Sequence, residues 1–403
     1  NPIFGFGVNF ELHAGTAYWN APVGCGDMFQ VVDDGSWTVT VIYLPAGSPG
    51  TATNPSPANM AQLVDLDADL SWNFGANTTT YDLYLGTDNP PTTIVVPDGA
   101  PGGATGSFDP GTLMEATEYF WRVVGKNATN ENPGNVWSFT TKCATPTYPY
   151  LENFDGVTSP DFPPCWIPLS TSTNQYCRVN NYYDQWGNAA YSAPNVIQFY
   201  ADAEPTPNLV LVLPEAGTIS DKMLSLYGRN DIDFLSGNPY TYPVEVGTMS
   251  DPFDINTFTT YTSFVPGAEF TLLEVFFADY AGTDTYIAIK GVVPQYGAVW
   301  VDDVTLDLIP TCIKPLDLVE VDIQAEQATI GWTDMNGATA WNIEYGISPY
   351  TPTGIPTVTG VTNPATITGL LDGTYYDIYV QTDCGGGDLS VWSLPITILT
   401  DCL

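Results

Sequence analysis

Residues 70–86, with the sequence LSWNFGANTTTYDLYLG, recur in altered form as IGWTDMNGATAWNIEYG at residues 330–346. In both segments a short apolar and polar alternation surrounds a tryptophan, turn-forming residues follow, and a second alternating run ends at a glycine. Alternation with a period of two is typical of β-strands that bury one face. The shared positions are Trp72, Tyr81 and Gly86 in the first segment and Trp332, Trp341 and Gly346 in the second.

The match between the two regions continues beyond these strands. It includes a Thr-x-Tyr step, a later valine and a Val-Trp-Ser run. The positions are Thr117, Tyr119, Val123 and Val136-Trp137-Ser138 in the first region, and Thr374, Tyr376, Val380 and Val391-Trp392-Ser393 in the second. Because this repeated skeleton carries aromatic and turn residues rather than reactive groups, we expect modules that position, link or bind, and we predict that the protein is not an enzyme.

The composition limits the size and the surface of these modules. The chain has 403 residues, which is enough for about three domains of ordinary size. Its 8 lysine and arginine residues stand against 45 aspartate and glutamate residues, so the formal net charge is -37. This charge repels nucleic acid and anionic membranes, and it attracts cations such as calcium. No apolar run is long enough to span a bilayer, and we predict neither nucleic-acid binding nor membrane insertion.

The pattern of short strands predicts an all-β fold of tandem β-sandwiches. Glycine, proline, threonine and tyrosine are plentiful, and no stretch has a sustained helical apolar period. Strand-like runs fill residues 51–142 and 312–403, and a different pattern occupies residues 147–310. Residues 1–50 hold too few runs for a separate sandwich. They form a small β segment, the tail of a preceding module, or strands that complete a neighbouring molecule.

Residues 51–142 and 312–403 resemble fibronectin type III domains. The resemblance depends on Trp72 and Trp332 in the second strand and on the Thr-x-Tyr steps that contain Tyr119 and Tyr376. It implies sandwiches of about seven strands in which the hydroxyl group of each of these tyrosines bonds back to the upstream backbone. We expect both tryptophans to lie in the cores.

Residues 147–310 resemble the MAM-like jelly roll, which is also called the cleaved-adhesin or choice-of-anchor J domain. The opening run YPYLENFDG at 148–156, the step PPCW at 163–166 and the closing run VWVDDV at 299–304 carry this resemblance. Such domains stand beside fibronectin type III modules in bacterial surface proteins exported by the type IX pathway. The resemblance therefore implies an extracellular protein that is secreted or associated with the cell surface.

The topology of the resembled jelly roll, in which the first and last strands pair, implies a cluster of carboxylates. Several carboxylates close together suit calcium, and related jelly rolls hold a structural calcium in this region. The alternative is that these acids are solvated or form turns. The four expected ligands are Glu152, Asp155, Asp302 and Asp303. A second acidic patch, Asn230, Asp231 and Asp233, is another candidate cation site, and the alternative is that these residues form turns.

The sequence gives little support for catalysis or phosphate binding, and it offers one candidate for glycan binding. The only histidine, His13, has no nucleophile turn near it, and no glycine-rich phosphate loop is present. A row of exposed aromatic residues would favour glycan binding, and the best run consists of Tyr182, Tyr183 and Trp186. The alternative for these side chains is a buried loop anchor.

The seven cysteines include no Cys-x-x-Cys pair, which argues for disulfides in an oxidising compartment and against zinc. The candidate bridges are Cys312–Cys384 and Cys165–Cys177, although the spacing alone leaves the connectivity open. Cys143, Cys312 and Cys402 each stand at a module boundary, so we expect the chain to belong to a longer repetitive protein.

The sequence therefore favours a non-catalytic, extracellular cell-surface adhesin or structural fibre protein. Its partners would be other copies of itself, neighbouring surface proteins or glycans. Two alternatives remain: a carbohydrate-binding accessory region of a larger secreted hydrolase, and a subunit that polymerises into filaments by adding strands of residues 1–50 to a neighbour's sheet.

Overall fold

The computed structural model describes residues 28–33, 39–44, 47–170, 175–181, 190–201, 208–233, 235–294 and 297–402. Within these ranges the regular structure is β-strand apart from one 3₁₀ turn at Ile255–Thr257, which confirms the all-β prediction. No sheet in the described part of the chain joins strands from two of the predicted sandwiches. None of the described residues belongs to a helix long and apolar enough to cross a membrane.

Two strands precede the sandwiches. They form an antiparallel hairpin in which Met28 lies opposite Leu44 and Asp33 opposite Val39. Among the described residues this hairpin pairs with no other strand. The strands are β1 (Met28–Asp33) and β2 (Val39–Leu44).

The first module, residues 47–142, is a sandwich of two sheets. Its strands are β3 (Thr53–Ser56), β4 (Ala61–Val64), β5 (Leu70–Asn73), β6 (Thr80–Gly86), β7 (Ile94–Gly99), β8 (Thr105–Phe108), β9 (Glu118–Lys126), β10 (Glu131–Asn132) and β11 (Trp137–Thr141). One sheet has the order β3-β5-β8, and the other has the order β4-β11-β9-β6-β7 with β10 on β9. Trp72 and Trp121 meet edge to face between the sheets, with ring centroids 6.1 Å apart.

The middle module, residues 147–310, is a larger sandwich. Its strands are β12 (Tyr150–Glu152), β13 (Ile167–Ser170), β14 (Tyr176–Asn180), β15 (Val196–Ala201), β16 (Leu209–Val212), β17 (Lys222–Asn230), β18 (Val244–Met249), β19 (Thr259–Phe264), β20 (Thr271–Phe276), β21 (Tyr286–Gly291) and β22 (Gly297–Leu308). The larger sheet has the order β14-β15-β22-β17-β20, with β12 on β22. The smaller sheet has the order β13-β16-β21-β18-β19.

The last module, residues 312–402, repeats the plan of the first. Its strands are β23 (Leu316–Ile323), β24 (Gln327–Thr333), β25 (Ala340–Ile347), β26 (Val358–Val361), β27 (Ala365–Thr368), β28 (Tyr375–Gly385), β29 (Asp388–Leu389) and β30 (Ile396–Leu399). One sheet has the order β23-β24-β27. The other has the order β26-β25-β28-β29, with β30 on β28.

The residues on which the repeat depends occupy equivalent places in the two outer modules. Trp72 and Trp332 are buried in the cores, with 1% and 7% of their surface exposed. The hydroxyl oxygen of Tyr119 accepts the backbone N–H of Met114 at 3.1 Å, and that of Tyr376 accepts the N–H of Leu371 at 3.0 Å. The predicted tryptophan cores and tyrosine corners are thus confirmed.

One part of the sequence match is wrong. Trp137 begins β11 and faces Trp121 across the strand pair, whereas Trp392 lies in the loop before β30. In the last module the residue opposite Tyr376 is Ile398, just as Phe139 lies opposite Tyr119 in the first module. The loops before the final strands differ in length, so the Val-Trp-Ser runs have similar sequences and different structural roles.

Candidate functional site

The first and last strands of the middle module pair, as the topology implied. β12 runs antiparallel to β22, with Tyr150 opposite Leu306 and Glu152 opposite Val304. The pairing brings the acid-bearing end of β12 to the bulge of β22 at Asp303, whose φ is 45°. The four expected acids therefore lie in one part of the module.

Asp302 is the most deeply buried of these acids, with none of its surface exposed. One carboxylate oxygen, Oδ2, accepts the backbone N–H groups of Tyr191 at 2.8 Å and Ser192 at 3.0 Å. The other, Oδ1, accepts the N–H of Asp303 at 2.9 Å. Burial raises the pKa of Asp302 to about 7, although these three N–H groups favour the charged form.

The other acids hold the same short segment of chain, residues 190–195, which we call the acid-anchored segment. Asp303 Oδ1 accepts the hydroxyl of Ser192 at 2.6 Å, and Asp155 Oδ1 accepts the backbone N–H of Asn195 at 2.9 Å. Asn195 is itself buried, and its side-chain amide donates to the carbonyls of Phe154 at 2.7 Å and Val157 at 2.9 Å. The two acid pairs thus fasten this segment to β22 and to the turn that follows β12.

Glu152 completes this arrangement from β12. Its Oε1 accepts the N–H of Phe154 at 2.7 Å. Burial raises the pKa of Glu152, and the nearby charge of Asp155 raises it further. Among the described residues, no group of three or more acidic, histidine or cysteine side chains is placed to hold a metal ion. The structure therefore presents two pairs of acids that accept N–H and O–H groups, and calcium stays a prediction.

An aromatic cluster lies directly on the acid-anchored segment. Tyr191 stacks on Tyr227 with ring centroids 3.6 Å apart and an interplanar angle of 12°, and it meets Phe270 edge to face at 5.8 Å. Tyr191 is 48% exposed. A hydrogen bond to Tyr191 and burial together raise the pKa of Tyr227 to about 12. We call Tyr191, Tyr227 and Phe270 the aromatic cluster.

Sequence reasoning missed this cluster and proposed another. Tyr182, Tyr183 and Trp186 lie outside the described residues, so the structure neither supports nor opposes them. Tyr191 gave no signal because it precedes a strand in a loop of small and polar residues. Its stacking partner Tyr227 reads in the sequence as one more alternating strand residue.

The residues of the second acidic patch form hydrogen bonds that stabilise turns and loops. Asn230 is fully buried, and its side-chain amide donates to the carbonyls of Tyr242 at 3.1 Å and Pro266 at 2.8 Å. Asp233 accepts the N–H of Leu235 at 3.0 Å and the hydroxyl of Ser236 at 2.7 Å, and these bonds lower its pKa. Asp231 accepts the N–H of Tyr240 through its backbone carbonyl. This patch matches the turn-forming alternative.

The two disulfides of the described residues agree with the expected pairs in part. Cys312 pairs with Cys384 within the last module, as expected. The expected Cys165–Cys177 bridge is wrong, because Cys165 pairs with Cys143. Cys177 is a buried free thiol whose side chain packs in the core of the middle module.

The joint between the first and middle modules has further contacts beside the Cys143–Cys165 bridge. Leu63 of the first module packs against an apolar cluster on the smaller sheet of the middle module, which includes Val210, Val212 and Tyr286. On the first-module side of this joint, Lys142 binds Asp65 of the same module at 2.6 Å. That bond chiefly raises the pKa of Lys142, and the charge of Glu215 in the middle module raises it in smaller part.

The joint between the middle and last modules contains a largely buried ion pair. Lys314 Nζ lies 2.9 Å from a carboxylate oxygen of Glu274, and the two side chains are only 13% and 14% exposed. A groove of about 540 Å³ runs beside this pair between β19, β20 and the start of the last module. Both joints are therefore fixed by specific contacts.

No family model and no curated protein matches this chain. Among solved structures, it is similar to the K1 cleaved adhesin domain of Lys-gingipain from Porphyromonas gingivalis W83, with a TM-score of 0.33 and 14% identity, covering 41% of this chain and 100% of that one. It is similar to TmCBM61, solved in complex with beta-1,4-galactotriose, with a TM-score of 0.27 and 11% identity over 40% of this chain and 100% of that one. It is also similar to the FN1–FN3 domains of chicken CNTN1, with a TM-score of 0.20 and 11% identity over 88% of this chain and 99% of that one. These similarities concern the β-sandwich architecture alone.

Proposed function

We propose that this chain is a non-catalytic extracellular adhesin or fibre segment that holds its β-sandwich modules at fixed angles. The observation that carries the proposal is the Cys143–Cys165 bridge, which ties Cys143, the residue directly after the first module, to the middle module. A disulfide within one module would stabilise that module only. A disulfide across a boundary limits how far two modules can turn against each other.

The second joint supports the same role by non-covalent means. Removing one partner of a buried ion pair leaves a charge without compensation, so Lys314 and Glu274 resist separation once their modules have docked. Domains in one chain otherwise move freely unless their interface is large and apolar. Two fixed joints in succession are what a stalk needs if it is to carry tension or to present a ligand-binding module.

The chemistry of the surface fits an extracellular location. Both disulfides need an oxidising compartment to form and persist. The net charge of -37 keeps such a chain soluble and suits neutral or cationic partners rather than polyanions.

Small-angle scattering of the full chain, combined with an attachment assay, tests the proposal. We expect the wild type to fit one arrangement of modules and the C143S/C165S variant to need a broad ensemble. C312S/C384S is the matched control, because its bridge lies inside one module. Beads coated with each protein are then compared for attachment to extracellular matrix proteins and to neutral glycans under flow. Identical scattering from the wild type and C143S/C165S, or no attachment to any surface by the wild type, would contradict the adhesin role.

A specific observation favours a second candidate function, which is binding of neutral glycans by the aromatic cluster. Tyr191 offers a half-exposed ring that is held in place by its stack on Tyr227 and by the bond between its own N–H and Asp302. Sugars pack on such fixed aromatic faces because little conformational entropy is lost. A neutral-glycan array probed with the wild type and Tyr191→Ala tests this candidate. Tyr375→Ala, which alters an exposed tyrosine of the last module, is the control that should bind as the wild type does.

Calcium binding stays a separate proposal from the sequence. Carboxylate oxygens are suitable calcium ligands, but those of Asp302 and Asp155 already accept backbone N–H groups. We therefore assign no role to a metal. Calorimetric titration of the full chain with calcium, with Asp302→Asn as the comparison, decides whether the acid pairs bind it.

A further inference from the structure

Strand β20 forms one edge of the larger sheet of the middle module. It pairs with β17 from Thr271, opposite Gly228, to Phe276, opposite Met223, and the register between the two strands has no irregularity. In the described part of the chain, no strand pairs with the other side of β20. A strand edge of this kind presents a row of backbone N–H and C=O groups to a further strand.

The hydrogen bonds around β20 show which of its backbone groups face away from β17. The N–H of Phe277 donates to the carbonyl of Lys222 at 3.0 Å. Because residues of an antiparallel pair alternate between bonding to the partner strand and pointing away from it, every second residue before Phe277 also bonds to β17. The carbonyl of Phe276 agrees with this alternation, since it accepts the hydroxyl of Tyr261 on β19 at 3.1 Å. The residues whose backbone groups point outward are Leu272, Glu274 and Phe276.

The strands at the other ends of the two sheets carry features that discourage a further strand, and β20 carries none of them. Proline, basic residues and β-bulges protect strand edges in this way. β13 contains Pro168, β14 contains Arg178, and β19 joins β18 through a register shift at Gly247. The charged residue of β20, Glu274, is paired with Lys314 of the last module. β20 is therefore a regular edge without these protections.

The groove between the middle and last modules runs along this edge. It has a volume of about 540 Å³, and the successive residues Leu272–Phe276 line it. This stretch of strand is about 17 Å long at about 3.3 Å per residue, so the mean cross-section of the groove is about 32 Å², or about 5.7 Å on a side. That width exceeds the spacing of about 4.8 Å between paired strands. The groove thus has room for the backbone of one added strand.

The walls of the groove select the side chains of such a strand. Successive side chains of a strand point to opposite faces, so alternate ones would lie against Leu273 and Val275, which are buried and apolar. The others would lie beside the pair of Glu274 and Lys314, where small polar groups fit better than charged ones. Asp317 is exposed at the rim, and the net charge of the chain is -37, so an acidic segment is repelled.

We propose that this groove binds an extended peptide segment of a partner protein, which adds to β20 as a further strand of the larger sheet. The segment spans about five residues, alternates apolar with small polar side chains, and carries no net negative charge. Main-chain hydrogen bonds supply the affinity in strand addition, and the alternate side chains supply the specificity. Because the groove is continuous with the joint between the modules, the bound strand also lies beside Leu316 and Leu394 of the last module.

The proposal rests on the adhesin role only in assigning the segment to a partner protein. It does not depend on the Cys143–Cys165 bridge or on the angles between the modules. The scattering experiment and a peptide titration can therefore fail independently of each other.

A titration of the purified full chain with a synthetic peptide tests the proposal. The peptide KTVTVTVTK, blocked at both ends and labelled with a fluorophore, alternates valine with threonine and is cationic. We expect saturable binding by fluorescence anisotropy. Methylating the backbone nitrogens of one alternate set of its residues should abolish binding, because that set bonds to β20, and methylating the other set should leave binding nearly unchanged. No saturable binding of the unmodified peptide, or equal effects from the two methylated sets, would overturn the proposal.

Two substitutions at one position of β20 provide a matched comparison. Leu272→Pro removes an outward N–H, which an edge strand tolerates because its pairing with β17 does not use that group. Leu272→Val keeps the N–H and an apolar side chain of similar size. We expect Leu272→Pro to weaken binding about fivefold or more, as loss of a main-chain hydrogen bond requires, and Leu272→Val to bind within about twofold of the wild type. Equal affinities of the two variants would contradict strand addition. If Leu272→Pro fails to fold by circular dichroism, the methylated peptides still decide.

Hydrogen–deuterium exchange locates the bound peptide. We expect exchange within Leu272–Phe276 to slow when KTVTVTVTK is bound, because the outward N–H groups then have acceptors. Unchanged exchange in this stretch would place binding elsewhere and refute the assignment. Sedimentation velocity without peptide separates the remaining occupant: self-association of the wild type that Leu272→Pro abolishes would mean that a second copy of the chain fills the groove, and it would count against a partner protein.

Discussion

Pulling the chain from its two ends should reveal how much of it lies inside covalent loops. In the oxidised protein a force that reaches Cys312 passes through the sulfur atoms to Cys384 and bypasses the strands between them. The sequence separation is 72 residues, which at about 3.4 Å of extended chain per residue hides about 240 Å of contour length. The Cys143–Cys165 bridge has a separation of 22 residues and hides about 75 Å.

Single-molecule force spectroscopy of the full chain, with and without dithiothreitol, measures these lengths directly. We expect the total contour length released to grow by about 320 Å on reduction. The C312S/C384S variant should release the larger part without any reductant, and dithiothreitol should then add only the smaller part. A wild type that extends to the same length with and without reductant would refute the assignment of both bridges.

Three further predictions concern stability. Burial raises the pKa of Asp302 in the folded state to about 7, above its value in the unfolded chain. The protonated group therefore stabilises the fold fully below about pH 4, and this stabilisation, about 4 kcal/mol, is lost as the pH rises to about 7. Urea titrations across this pH range measure the loss, and Asp302→Asn should flatten the profile. Trp72→Ala removes a core side chain that is 1% exposed and should lower the free energy of unfolding of the first module by about 3 to 5 kcal/mol. Urea titration measures this loss, and a loss below about 1 kcal/mol would show that the core does not depend on this ring. Tyr376→Phe leaves the Leu371 N–H without its hydroxyl acceptor and should cost the last module about 1 kcal/mol, with Tyr119→Phe giving a matching loss in the first module; unequal losses would argue against equivalent corners.

The architecture was predictable because it depends on short-range patterns. Alternation around Trp72 and Trp332 marks inward-facing strand positions, and the Thr-x-Tyr step identifies a corner whose hydrogen bond is local. The Cys312–Cys384 bridge followed from the module plan. These features need only the order of strands within one module.

The features that failed depend on contacts between distant segments. Cys177 and Val179 both face the core of the middle module, as the alternation of the strand indicates. The partner of Cys165 is instead Cys143, which lies in the linker before that module. The calcium site at the two acid pairs stays a prediction, but the sequence did not indicate that residues 190–195 would supply N–H donors to Asp302 and Asp155. The sequence can show that acidic residues come close together, but only the fold shows which donors form hydrogen bonds with them.

The pairing of β12 with β22 has a consequence for the order in which the protein can form. These strands open and close the middle module, so a chain that emerges from the ribosome from its N-terminus cannot complete the larger sheet until residues near Leu308 have emerged. The first module has the same dependence over a shorter stretch of chain, since its last strand, β11, pairs with the early strand β4. Until β22 is available, Tyr150–Glu152 stays unpaired. The emergence of this one late strand therefore sets the time at which the middle module can complete its fold.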